Sequence, residues 1–149
     1  MSKLSAVKTT RVETIATAVL TIETSGEGFF EISRDAACFL KDIDGALLLY
    51  LRHTSASLVI QENADADART DLVTALNRLA PAQAGFVHEV EGPDDMPAHI
   101  KSMINGVSLQ IPVSGGQLAL GTWQGIYVAE HRAHPHRREV VLQFLGSSG

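Results

Sequence analysis

Residues 47–67 read LLLYLRHTSASLVIQENADAD, a greasy run that turns polar at its centre and ends in a string of carboxylates. Its apolar residues are branched or aromatic enough for an extended strand, so residues 46–61 are predicted to form the central strand. Successive strand side chains point to opposite faces. An unbroken strand therefore puts His53, Ser55 and Ser57 on the same face as Leu47, Leu49 and Leu51. A buried polar group without a partner costs about 1–3 kcal/mol. Three of them beside a leucine floor imply either a hydroxyl- and imidazole-lined pocket or a strand end that emerges into solvent.

Outward from this stretch, residues 9–23 are rich in Thr, Val and Ile and read as a strand. A turn at SGEG leads to a second strand at FFEIS. SRDAACFLKDIDG reads as a short helix capped by Ser33, with Ala36, Phe39, Leu40 and Ile43 as its apolar stripe and Gly45 at its end. From Asp65 the chain turns helical. Ala68, Leu72, Ala75, Leu76 and Leu79 recur at helical spacing, Asp65 and Asp67 complement the dipole, and Pro81 follows. AQAGFVHEVEGPDD is expected to hold a short strand and a loop. DMPAHIKSMING is a helix with Asp95 as its cap and Asn105-Gly106 as its stop. VSLQIPV alternates, and LALGTWQGIYVAEH and EVVLQFLG complete a set of strands that pair most simply as antiparallel neighbours. Hairpins and helices without βαβ alternation point to an α+β fold.

Composition narrows the function classes. The 149 residues fit one domain, 1–149, and 45% are apolar against 19% charged. A net charge of −5 argues against a nucleic-acid partner. The N-terminal MSKLSAVKTTRVE has no signal-peptide pattern and no segment is apolar enough to span a membrane, so a cytoplasmic protein with no membrane partner is expected. The single cysteine, Cys38, lies in an apolar run and is expected to be a buried, inert thiol.

Three histidines stand out. His99 shares a helical stripe with Met96, Ile100 and Met103 and should point inward, and His88 precedes an acidic loop. With His53 they form a candidate metal or acid–base cluster, since neutral imidazoles from separate elements with carboxylates nearby suit a zinc-like ion. HRAHPH, with His131, His134 and His136, has an internal proline between two strands and reads as a solvated loop. Gly121 and Gly125 flank Thr122, Trp123 and Gln124, where strand glycines signal close backbone approach. Trp123 is either core or the stacking wall of a pocket with Gln124 and Glu130. No P-loop, Rossmann fingerprint or nucleophile elbow occurs.

HTSASLVIQENADADARTDL and EGPDDMPAHIKSMINGVSLQIPVSGGQLALGTWQGIYVAEHR together resemble the YjbQ family, over about residues 10–146. The resemblance implies an antiparallel β-sandwich with short helices, a homotrimer, and sites near subunit boundaries. It also implies a secondary thiamine-phosphate synthase activity, which joins a hydroxymethylpyrimidine diphosphate to a thiazole phosphate. The positions that match the family motifs include His53, Ser55, Asn63, Asp65, Asp71, His88, Asp95, His99, Thr122, Trp123, Gln124 and Glu130. The expected roles are His53, Ser55, Asp95 and Glu130 in catalysis, and His53, His88 and His99 as ligands of a divalent metal. Asn63, Asp65, Asp71, Thr122, Trp123 and Gln124 are expected to hold a small phosphorylated substrate. A histidine-rich set suits a zinc-like ion, whereas diphosphate chemistry would call for magnesium. The alternative is a non-catalytic trimer that binds a phosphorylated or carboxylated metabolite.

Overall fold

The apolar run at 46–61 is two strands in two different sheets. In the computed structural model, which describes residues 1–40 and 44–147, the chain leaves strand β3 (Gly45–Leu51), turns through Arg52–Ser55, and enters β4 (Ala56–Glu62). Both halves bury apolar side chains, so their hydrophobic signal runs on without a gap, yet the polar RHTS segment is the crossover between layers. His53 and Ser55 thus sit in a connection, and only Ser57 lies on a strand.

The remaining elements are β1 (Thr14–Thr24), β2 (Gly28–Glu31), α1 (Ser33–Cys38), α2 (Ala66–Leu79), α3 (Asp95–Asn105), β5 (Ser108–Ser114), β6 (Gln117–Leu118), β7 (Gln124–Glu130) and β8 (His136–Gly146). One sheet has the order β1-β8-β3-β5-β6 and the other β2-β7-β4, with every described pairing antiparallel. The fold is α+β. β1 and β8 pair over their full lengths, from Thr14 opposite Gly146 to Thr24 opposite His136. The core lies between the sheets: Leu47, Leu49, Val140, Leu142 and Phe144 from one face Ala56, Leu58, Ile126 and Val128 from the other. Gly45 starts β3 and does not end a helix. A Cβ there would stand 2.1 Å from the Leu145 carbonyl oxygen, so backbone approach demands glycine.

Several sequence expectations shift. α1 stops at Cys38, whose side chain is exposed and not buried. Ile32 is its cap residue, while the Ser33 hydroxyl donates to Glu31 and accepts from the Ile126 amide. Ile43, placed on its stripe, lies outside the described residues. Residues 82–94 contain turns and no strand. α2 starts where expected, with the Asp65 carboxylate accepting from the Asp67 amide at 2.9 Å. It nevertheless has no buried residue. Its face of Ala68, Leu72, Val73 and Leu76 is half-buried, and polar ties add to it: Arg69 donates to the Glu62 carbonyl and lies over the Tyr127 ring, and Asn77 joins Glu27 and Lys101.

α3 shows the largest reversal. Its buried face is Asp95, Pro97, Ala98, Lys101 and Ser102, while Met103 is 79% exposed. The groups it meets explain this: Ser102 donates to the Ala56 carbonyl at 2.7 Å, and the Lys101 ammonium reaches Asn77 and Glu27. A helix docked onto polar partners buries its polar face. Gly106 ends it, with φ of 88° and its amide donating to the Ser102 carbonyl. Among the described residues, no helix is long and apolar enough to cross a membrane.

Candidate functional site

The first turn of α3 and the turns before it build one cluster. Asp95, expected as the cap, is the first helical residue after the cap Asp94, and its carboxylate meets side chains. Oδ2 lies 2.7 Å from His88 Nε2 and 3.0 Å from His99 Nε2, one helical turn on. The two imidazole rings are tilted, with centroids 5.4 Å apart. The other oxygen, Oδ1, accepts from Arg132 Nη1 at 2.7 Å. Arg132 also donates from Nε to Asp94 and from Nη2 to the Glu91 carbonyl. Asp94, which also accepts from the Ala133 amide, therefore serves the guanidinium. Burial pushes the Asp95 carboxyl upward, but the hydrogen bond from His88 and the charges of His99 and Arg132 outweigh it and hold it below the usual carboxylate range.

The tautomer of His99 is fixed by the main chain. Nδ1 lies 2.6 Å from the Thr54 carbonyl oxygen, which only accepts, so Nδ1 carries the proton. In the neutral ring Nε2 is then a bare lone pair aimed at the Asp95 carboxylate. Two acceptors facing each other at 3.0 Å repel unless a cation lies between them, either a second proton or a metal ion. The donor set fits a metal. His88, Asp95 and His99 offer three ligand atoms, all within 4.8 Å of one another. A tetrahedral ion with bonds of about 2.0–2.1 Å sets its ligand atoms about 3.3 Å apart. The two Asp95–histidine contacts, at 2.7 and 3.0 Å, would open by a few tenths of an ångström to meet that spacing.

His53 stands outside this group, so the expected set of three imidazoles is two imidazoles and a carboxylate. Its Nε2 accepts from the Glu139 amide at 2.8 Å. Burial, then the nearby Arg138 guanidinium, push its pKa below the ordinary histidine value. His53 and His99 do line a common open cleft of about 800 Å³, together with Arg52, Tyr50, Met103 and Val107.

Beneath the cleft lies a second, fully buried cluster. Glu130 receives two hydrogen bonds from Arg138, from Nε at 2.8 Å and Nη2 at 2.5 Å, and a third from the Thr24 hydroxyl at 2.6 Å. Arg138 Nη2 also reaches the Ser55 hydroxyl at 3.0 Å. Burial raises the Glu130 pKa, but the bonds from Arg138 and Thr24 outweigh it, so the group stays ionised as half of a bidentate pair.

His131, expected in a solvated loop, is 3% exposed and sits 2.9 Å from the Ser57 hydroxyl, which also accepts from Asn105. Desolvation, with Lys101 nearby, pushes its pKa down to about 4. Local sequence carried no sign of this, since its partners come from β4 and α3. His134 is exposed, as expected.

The expected substrate residues lie elsewhere. Ala56 pairs with Glu130 at one end of the β4–β7 ladder, and Glu62 pairs with Gln124 at the other. Six steps of strand separate them, about 20 Å. Gly121–Gln124 are exposed, with Gln124 Oε1 accepting from the Gly121 amide and Trp123 64% exposed. Asn63 donates to the Gln124 carbonyl, Asp65 caps α2, and Asp71 is on its solvent side. Within one chain, these residues and the histidine cluster occupy opposite ends of the sheet.

Comparison with known proteins gives the family of the chain. Residues 18–147 match the family described as UPF0047 protein YjbQ-like. A Synechocystis relative, UPF0047 protein sll1880, is 50% identical over 103 residues, covering 68% of this chain and 70% of the relative. The YjbQ protein of Escherichia coli O157:H7 is 40% identical over 131 residues, covering 85% of this chain and 95% of its own. Among solved structures, a YjbQ/UPF0047 protein from Clostridium acetobutylicum superposes with a TM-score of 0.79 at 33% identity, covering 85% of this chain and 98% of that one. A hypothetical protein from Aeropyrum pernix, APE1520, reaches 0.82 at 29% identity, covering 89% and 99%. The chain belongs to the YjbQ-like UPF0047 family.

Proposed function

We propose that this chain is a small enzyme centred on His88, Asp95 and His99, which hold a zinc-like divalent ion and act on a small phosphorylated substrate. One observation carries the reading: the lone pair of His99 Nε2 is held against the Asp95 carboxylate by the Nδ1 bond to Thr54. Two imidazoles and one carboxylate are a zinc-type donor set, and too rich in nitrogen for magnesium. When bound, such an ion polarises a substrate oxygen or a water. Arg132 keeps Asp95 ionised and oriented, and Thr54 keeps His99 in the ligating tautomer. His53 faces the same cleft and is available to substrate. Joining hydroxymethylpyrimidine diphosphate to thiazole phosphate is the first reaction to assay, on the strength of the family resemblance.

The reading includes a homotrimer. The outer face of the five-stranded sheet leaves Ile15, Val19 and Tyr50 more than half exposed, an apolar face suited to burial between subunits. Assembly would also let the Trp123 end of one copy approach the histidine cluster of another. Light scattering should give three times the chain mass; a monomer at micromolar concentration would remove the trimer.

The metal is tested by elemental analysis of protein purified without a nickel column and dialysed against a weak chelator. The expected result is one equivalent per chain in wild type and in His134→Ala, and little in His99→Ala or Asp95→Ala. Protons compete for neutral imidazoles, so acidification should release the ion while the fold persists. Metal retained in His99→Ala and lost in His134→Ala would move the site to the loop. A wild type that takes up no zinc, manganese or iron would make the cluster a proton-bridged pair.

A further inference from the structure

His53 has a hydrogen-bonding pattern that nothing within the described chain completes. A main-chain amide only donates, so the Glu139 N–H at 2.8 Å takes the lone pair of Nε2. The neutral ring must then carry its proton on Nδ1. The described neighbour of Nδ1 is Arg138 Nη1, 3.4 Å away, and a guanidinium also only donates. Two N–H groups therefore converge without a shared acceptor among the described residues. Elsewhere Arg138 is fully engaged: Nε and Nη2 hold Glu130, and Nη2 also serves Ser55. Nη1 is the donor left over.

We propose that this point is an oxyanion subsite, where a phosphate or carboxylate oxygen of a ligand accepts from both His53 Nδ1 and Arg138 Nη1. His53 lines the open cleft and is only half-buried, so the cleft is the route by which a ligand would reach it, and Arg52 lines the same cleft. Arg138 is held rigid beside His53 by Glu130 and Ser55, its side chain 4% exposed, so the donor geometry is set before binding. Glu130 neutralises Arg138, and Glu139 lies 3.6 Å from Arg52. The subsite therefore recognises its anion by directed hydrogen bonds more than by net charge, and a single inorganic ion should bind weakly. This assignment does not rest on the metal: the converging donors are the same whether His88, Asp95 and His99 hold an ion or a proton.

The test uses two substitutions that divide the ring between its nitrogens. In His53→Asn the amide nitrogen takes the place of Nδ1 and keeps the donor. In His53→Gln the amide oxygen takes the place of Nε2 and keeps the bond to Glu139, but the Nδ1 donor is lost. Calorimetric titration with inorganic phosphate, and separately with acetate, is run on metal-free full-length protein after chelation. Wild type should bind at least one of the two saturably, and the two titrations tell a phosphate from a carboxylate preference. His53→Asn should bind within a few-fold of wild type, and His53→Gln about ten- to a hundredfold more weakly, the loss of one hydrogen bond to a charged group. The proposal is overturned if neither anion binds wild type, if His53→Gln binds as well as wild type, or if His53→Asn fails together with His53→Gln while both remain folded. In each of those cases the gap between the two donors holds water only.

Discussion

The two ends of the β4–β7 ladder are built on opposite principles. At the Ala56–Glu130 end, charge is buried: Glu130, Arg138 Nε and Nη2, Thr24 and Ser55 bond to one another out of solvent, and His131 pairs with Ser57 beside them. At the Glu62–Gln124 end, polar side chains and Trp123 face outward, and their internal bonds only shape the turn. Sequence motifs join the two ends into a single expected site, but the fold holds them about 20 Å apart in one chain. The lesson is that a set of functional-looking residues can contain a scaffold and a surface. The buried end fixes geometry for the neighbouring histidines, and the open end is free to meet something else.

The largest effect should come from breaking the buried end. Glu130→Leu leaves the Arg138 guanidinium unpaired in the core and should cost about 3–5 kcal/mol in urea unfolding. Glu130→Leu combined with Arg138→Met should recover much of that loss. If Glu130→Leu alone costs less than about 1 kcal/mol, the buried end is not the rigid scaffold described.

The pH response sharpens the same contrast. His131 has a folded pKa of about 4 against an ordinary 6.5. The unfolded chain takes up a proton as pH falls below 6.5, while the folded chain resists until about 4. Its contribution is therefore complete above pH 6.5 and is lost on the way down to pH 4, by about 3 kcal/mol. Stability measured at pH 7 and pH 4.5 should fall less steeply in His131→Gln. Equal slopes in the two proteins would show that His131 is not desolvated.

The smallest effect belongs to the open end. Trp123→Ala should change unfolding stability by less than about 0.5 kcal/mol, because the ring is already mostly in water. A loss several times larger in thermal or urea unfolding would mean that the indole is buried by assembly.

Some of this was legible from local pattern. The alternation of VSLQIPV survives as β5 with Ile111 and Val113 buried, and α2 begins at its aspartate cap. His88 from one segment and Asp95 and His99 from the next helix, all singled out in the sequence, do converge. What could not be read depends on partners distant in sequence. Leu51 and Ala56 are both core residues, so apolarity alone hides the change of sheet between them. The buried face of α3 is decided by the Ala56 carbonyl, Asn77 and Glu27, and a hydrophobic stripe says nothing about those. His131 looked solvated because a proline and two more histidines follow it. Its burial comes from Ser57, 74 residues upstream.

α2 carries a consequence for how the molecule breathes. A helix of 14 residues with no buried side chain is held by Arg69 at its start and by the Asn77–Glu27–Lys101 tie near its end. Lifting it exposes only its half-buried face of Leu72, Val73 and Leu76, whereas separating β8 from β1 and β3 dismantles the core. Its amide protons should therefore trade with deuterated solvent through local opening, while those of β8 wait for global unfolding. Lys101 lies two residues from His99, so each such opening also releases the anchor that seats α3 beside the histidine cluster.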